Sequence, residues 1–159
     1  MRDLRVGAPV TPLRWSVVTA SGVFVLDQLA KWWAVATLPG EPIVVIDGFL
    51  DLRYVTNSGA SFSMLRGAGS IIALAVIAIV VFIVLLVRKI DIVPEAVALG
   101  LVLGGALGNL ADRVFRGGGW FDGEVVDFID FSFFPAFNAA DSAVTVGAVL
   151  ILFLAFFRK

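Results

Sequence analysis

The chain has 159 residues, 60% of them hydrophobic, with no histidine, no cysteine and a formal net charge of −1. A mean hydropathy of +1.00 lies outside the range of soluble globular domains. The missing residue types exclude disulfides, zinc–thiolate sites, cysteine nucleophiles and every Ser-His or Cys-His mechanism, and without a basic stripe a nucleic acid has nothing to grip.

The length suits one domain over 1–159, an all-α membrane protein whose core is a helix bundle in lipid. Met1–Arg14 carries Arg2, Arg5 and Arg14 ahead of an apolar run. That run is long enough to span, and Thr37-Leu38-Pro39-Gly40 offers no small-residue cleavage site. The expectation is an uncleaved anchor with a short cytoplasmic tail. Four spans of about 20 residues are expected, over 15–37, 69–87, 93–115 and 136–157. Ile71–Val87 carries no charge at all.

Arg2, Arg5 and Arg14 precede the first span, Arg88 and Lys89 follow the second, and Arg158 and Lys159 follow the fourth. With four crossings these clusters share one side, which makes both termini cytoplasmic. Arg53, Arg66 and Arg116 stay on the opposite side, with Lys31 and Arg113 nearer the helix ends.

Two outer segments remain, 39–66 and 116–135. In the first, Ile43–Ile46 is β-prone, Leu50–Tyr54 alternates apolar and polar, and Gly48 suits a turn between them, so a small sheet is expected on the membrane surface. The second starts with the pliable Gly117-Gly118-Gly119. Its Trp120, Phe121, Phe128, Phe131, Phe133 and Phe134 suit an interface, and a short helical or irregular course is expected. Pro135 fits the first turn of the fourth helix, where a missing N–H costs nothing. No internal repeat is visible, and the connector between the second and third spans is too short to hold a domain.

Polar residues recur at helical spacing in three spans: Asp27 with Lys31, Asn109 with Asp112 and Arg113, and Asn138 with Asp141. All sit at similar depth toward the outer side. Lipid cannot solvate them, so they should face one another inside the bundle. Bland readings exist for several. Asp27–Lys31 suits an intrahelical ion pair, Arg113 an interfacial anchor that snorkels to headgroups, and the two Asn residues helix-to-helix braces. Asp122, Glu124 and Asp130 read as solvated loop acids.

Asp127 and Asp141 resist such readings. Asp127 is flanked by Val125, Val126, Phe128 and Ile129, and Asp141 has Ala139, Ala140 and Ala143 around it; neither has an adjacent basic partner. Two nearby carboxyls cannot both ionise cheaply, so one pKa rises and the pair shares a proton. The charged partner can deprotonate a water while the protonated one polarises a carbonyl. Peptide hydrolysis then needs no His, Cys or metal, and the titration belongs to the pair.

Five ordered blocks carry a family resemblance: Asp27-Gln28-Leu29-Ala30-Lys31, Asn57-Ser58-Gly59-Ala60-Ser61-Phe62-Ser63, Gly105 to Arg113, Val125-Val126-Asp127-Phe128, and Phe134 to Ser142. The chain resembles bacterial lipoprotein signal peptidase, the type II signal peptidase, an aspartic protease of the inner membrane. By position, the family's catalytic dyad falls on Asp127 and Asp141. The resemblance makes Asn57, Asn109, Asp112, Arg113, Asn138, Asp27 and Lys31 residues that support the fold and hold substrate. Two departures are visible: Ser61 stands where the family often has Ala, and 117–122 is longer and richer in glycine than usual.

The resemblance implies prolipoprotein substrates carrying diacylglycerol on a lipobox cysteine, cut just before that cysteine. It implies contact with membrane lipid, a monomer, no metal or organic cofactor, and inhibition by globomycin. Two other readings are weighed against it. A small ion-coupled carrier would also use intramembrane Asp, Asn and Arg, but four spans without a repeat are few, and the polar groups give no path inward. A Ser-Lys hydrolase using Lys31 with Ser61 or Ser63 needs a neutral lysine, against which Asp27 argues.

Overall fold

The computed structural model describes residues 12–58, 69–118, 121 and 123–157. Arg2, Arg5, Ser61, Ser63, Arg66, Gly119, Trp120, Asp122, Arg158 and Lys159 lie outside the described residues.

Four helices are described: α1 (Pro12–Thr37), α2 (Gly69–Val87), α3 (Val93–Phe115) and α4 (Ala139–Phe157). Pro12 opens α1 and Pro94 the first turn of α3, positions that need no N–H donor. Helix α1 stops where Leu38 N–H donates to Ala34 O at 2.9 Å and Pro39-Gly40 follows, Gly40 at φ +111°. Two of the helices, α3 and α4, are long and apolar enough to cross a membrane on composition alone; Ile71–Val87 is a shorter apolar helix.

Helix α3 is the axis of the bundle, packed against α1 and α4 and, less extensively, α2. Glycine makes the closest approaches possible. A Cβ on Gly104 would lie 2.6 Å from Ala20 O on α1, and one on Gly105 would collide with Ala140 O on α4. The exterior of α4 is apolar, with Val149 at 61%, Leu152 at 70% and Phe156 at 83% exposure. The charged side chains of Asp27, Lys31 and Asp112 are fully enclosed. Charge inside and hydrocarbon outside is the pattern of a chain solvated by lipid.

A four-stranded antiparallel sheet, ordered β1-β2-β3-β4, covers one end. It comprises β1 (Ile43–Ile46), β2 (Leu50–Asn57), β3 (Val125–Phe131) and β4 (Phe134–Phe137). Gly48, at φ +66°, makes the β1–β2 turn, closed by Phe49 N–H donating to Ile46 O at 2.9 Å. Val126 and Phe128 of β3 pack on Ala34 and Leu38 at the end of α1, which fastens sheet to bundle.

Two expectations are corrected here. The second outer segment is not helical or irregular throughout: 125–131 and 134–137 are strands that double the size of the expected sheet. Pro135 therefore lies in β4 rather than in the first turn of a helix, and the last helix starts at Ala139. Strand β4 is an edge strand, where a residue lacking an N–H is tolerated.

Candidate active site

Asp127 sits in mid-β3, paired with Val55 of β2. The register slips between Leu52 and Val55, so β2 carries one extra residue opposite this stretch. Such bulges turn neighbouring side chains. The four residues from Val125 to Phe128 are all buried, and Asp127 is 2% exposed. Its carboxyl accepts from Asn138 Nδ2 at 2.7 Å on Oδ1 and from Asn57 Nδ2 at 3.0 Å on Oδ2.

Asp141 occupies the third position of α4, and its place follows from helix capping. Asn138 Oδ1 accepts the Asp141 N–H at 3.0 Å, and Asp141 Oδ2 accepts the Asn138 N–H at 3.2 Å. This reciprocal pair is a capping box, with Asp standing where Glu is usual. A carboxylate in the first turn also meets the positive end of the helix dipole. Asp141 Oδ1 accepts from Asn109 Nδ2 on α3 at 2.8 Å. Asn138 thus touches both acids, Asp127 through its side chain and Asp141 through its backbone.

Behind the two acids lies an enclosed ion cluster. Lys31 Nζ is 2.8 Å from Asp27 Oδ2 and 2.9 Å from Asp112 Oδ2, and it donates to Asn109 Oδ1 at 2.8 Å. Arg116 Nε meets Asp112 Oδ1 at 2.8 Å, so two acids are balanced by two bases. Asp27 Oδ1 accepts the Ala140 N–H at 2.9 Å, and Asp112 Oδ2 accepts the Val126 N–H at 3.2 Å. The cluster therefore holds the backbone one residue before each of the two acids.

Burial pushes the Asp127 carboxyl up to about 6 from its ordinary 3.8. The Asn57 hydrogen bond works against this, the negative charge of Asp141 adds to it, and Asn138 and Lys31 oppose it. The pair opens onto two adjoining cavities that share Asn57, Pro135 and Ala136. One, of about 200 Å³, reaches Asp127; the other, of about 510 Å³, reaches Asp141 and runs past Thr145 and Val146 of α4. The site thus combines an acid in an apolar setting, a second acid beside it, amides fixing both, and a cleft bordered by a strand edge.

All nine residues singled out in the sequence converge on this end of the bundle, but not in every role considered. Arg113 does not snorkel: it is 6% exposed, with Nη1 3.5 Å from Gly123 O. Asp130 is not merely solvated, since Arg53 Nε meets it at 2.7 Å across the sheet. Lys31 lies between two carboxylates with no exposure, which leaves a neutral lysine nucleophile or base without support. Two contributors went unnoticed in the sequence. Gln28 donates to Asp27 Oδ2 at 3.2 Å and to Gly108 O at 3.1 Å, and Arg116 completes the charge balance. A glutamine within the polar stripe of an apolar helix was the available signal for the first.

The chain is similar to known proteins over most of its length. Residues 19–157 match the family model described as signal peptidase (SPase) II. The chain is 44% identical to a lipoprotein signal peptidase of Rhodococcus jostii over 138 residues, covering 86% of this chain and 70% of that one. It is 41% identical to one of Mycobacterium avium over 150 residues, covering 94% and 82%. A solved structure described as a bacterial membrane enzyme, determined in meso at 1.9 Å, superposes with a TM-score of 0.80 at 34% identity, over 91% of this chain and 94% of that one.

Proposed function

The chain belongs to the signal peptidase II family of lipoprotein-processing membrane proteases, and from that premise we propose that Asp127 and Asp141 are its catalytic pair. The observation that carries this is the Asn138 bridge, 2.7 Å to Asp127 and 3.2 Å to Asp141, which keeps two carboxyls on one residue beside a cleft. With a single proton between them, the ionised acid takes a proton from water as the water oxygen attacks the scissile carbonyl carbon. The protonated acid gives its proton to the carbonyl oxygen. Collapse of the tetrahedral adduct breaks the C–N bond: the leaving amine nitrogen takes a proton from one acid as a hydroxyl of the adduct returns one to the other, which restores the single shared proton. No metal or organic cofactor is required by this scheme.

The substrate is a prolipoprotein bearing diacylglycerol on its lipobox cysteine, cut N-terminal to that cysteine. An acyl-bearing peptide fits the cleft's composition: Asn57 and Asp141 at the polar end, Val146 and the exposed apolar face of α4 leading into lipid. The enzyme crosses the bacterial cytoplasmic membrane four times, over 15–37, 69–87, 93–115 and 136–157, the last crossing carried by helix from Ala139. The segments 39–66 and 116–135 lie outside, both termini are cytoplasmic, and the site is near the outer face. The protein acts as a monomer, and a globomycin-type cyclic peptide occupies the same cleft. Asn57, Asn109, Asn138 and Arg113 hold the acids and the substrate, while Asp27, Lys31 and Asp112 support them.

The test is cleavage of a diacylglyceryl-modified lipobox peptide by the detergent-purified protein. Asp127→Asn and Asp141→Asn should each abolish turnover with the fold retained. Turnover surviving either substitution removes the aspartic mechanism.

A further inference from the structure

Lys31 has three N–H donors and, in its enclosed position, three acceptors: Asp27 Oδ2 at 2.8 Å, Asp112 Oδ2 at 2.9 Å and Asn109 Oδ1 at 2.8 Å. An ammonium cannot accept a hydrogen bond. The end of the Asn109 amide that faces Lys31 must therefore be the oxygen, and the end that faces Asp141 Oδ1, 2.8 Å away, must be the N–H. This fixes by chemistry an orientation that the shape of an amide alone leaves ambiguous.

We propose that Lys31 is a positioning residue for the reaction, acting through Asn109 to keep an N–H donor aimed at Asp141. The inference rests on the reading of Asp127 and Asp141 as the catalytic pair. Any enclosed ammonium needs an acceptor for its third N–H. Here that acceptor is an amide whose other end reaches the acid. Asn138 Nδ2 also donates toward Asn109 Oδ1, at 3.2 Å, but its two N–H groups are shared with Asp127 Oδ1 at 2.7 Å and Val126 O at 3.2 Å, so the 2.8 Å bond from Lys31 is the shorter hold on the Asn109 oxygen. Without Lys31 the amide can turn over. Its oxygen would then confront the Asp141 carboxyl, and the acid would lose both a donor and its fixed position relative to a bound water.

The experiment is a double-mutant cycle on turnover of the diacylglyceryl-modified lipobox peptide. The enzymes are wild type, the charge-balanced Lys31→Met/Asp27→Asn, Asn109→Ala and the combination of all three changes. The amide introduced by Asp27→Asn keeps an oxygen to accept the Ala140 N–H. The expected kcat loss is roughly 100-fold for Lys31→Met/Asp27→Asn, the scale of a small misplacement of a reacting group, with KM nearly unchanged. The combined variant should be no slower than Asn109→Ala alone. Losses that multiply, or a Lys31 variant with wild-type kcat, overturn the proposal. Should the lysine variant fail to fold, Asn109→Asp decides. It preserves a partner for Lys31 but points an oxygen at Asp141, so kcat should fall at least as far as in Asn109→Ala; wild-type kcat there overturns the proposal. Asp127→Asn and Asp141→Asn run alongside separate the two readings. Turnover in either variant defeats the catalytic pair, whereas inactivity of both together with a multiplicative cycle defeats only the role of Lys31.

Discussion

Lys31 and Asp112 meet at 2.9 Å across the α1–α3 interface with neither side chain exposed. Removing Asp112 leaves Lys31 with Asp27 as its one carboxylate and the cluster with an excess positive charge. Breaking a buried pair outright costs about 3–5 kcal/mol, which is the upper bound here. Asp112 also accepts from Arg116 and from the Val126 N–H, so its loss frees the start of β3 as well. Asp112→Ala should therefore lower the unfolding midpoint in detergent far more than a surface acid does, and slow turnover besides. A midpoint equal to wild type would show that the cluster holds nothing together.

The contact of α3 with α4 makes a second, steric prediction. A Cβ at Gly105 would collide with Ala140 O and stand 2.7 Å from Val144 Cγ2, next to the capping box that seats Asp141. Gly105→Ala should force α4 outward and cost about 1–3 kcal/mol, as overpacking does, with reduced kcat because Asp141 moves with the helix. Gly22→Ala is the matched control. No atom beyond its own stretch of helix lies within 4 Å of its added Cβ, so the midpoint should stay level or rise. Equal behaviour of the two variants in a thermal scan would contradict the packing described.

The sheet supplies the opposite kind of case. Arg53 is about half exposed where it meets Asp130, its side chain 53% accessible. Pairs of this kind contribute roughly 0–1 kcal/mol. Arg53→Ala should leave the unfolding midpoint and kcat close to those of wild type. A large loss of activity would mean that the outer sheet binds substrate through this arginine.

How far the sequence carries one toward this site depends on the range of the interaction. The Asp27–Lys31 pair is visible from i,i+4 spacing, and the strand character of 43–46 and 50–54 from a β-prone run, an alternation and Gly48 between them; the continuation of β2 to Asn57 is not. Asn138 to Asp141 also spells a capping box, which places the helix start at Ala139. Pro135 draws the expected boundary forward instead, because proline fits both a first helical turn and an edge strand. The long-range facts are different. Pairing of β2 with β3 joins Asn57 to Val125, and the approach of Lys31 to Asp112 depends on glycine contacts between α1 and α3. The helix contact leaves one local trace: Gly100, Gly104 and Gly108 recur at four-residue spacing, a small-residue stripe that lets two helices approach closely, though it does not name the partner helix. The strand pairing leaves no local pattern in the chain. The bulge that accompanies Asp127 is likewise a property of two strands, not of one.

The raised pKa of Asp127 gives a prediction in pH. Burial first, and the Asp141 charge next among the causes that raise it, hold its folded value at about 6 against 3.8 when unfolded. The folded state therefore binds this proton more tightly than the unfolded state. Its contribution to stability is complete below 3.8 and is lost as pH rises through 6. The wild-type unfolding midpoint should fall over that window relative to Asp127→Asn, which has no proton to lose at that position. On the kinetic side, kcat/KM should decline as pH climbs past about 6, because the pair then loses the one proton that hydrolysis requires. That limb reports the pair rather than either acid. Identical midpoint profiles for wild type and Asp127→Asn across the window would mean that the buried carboxyl does not carry the proton assigned to it.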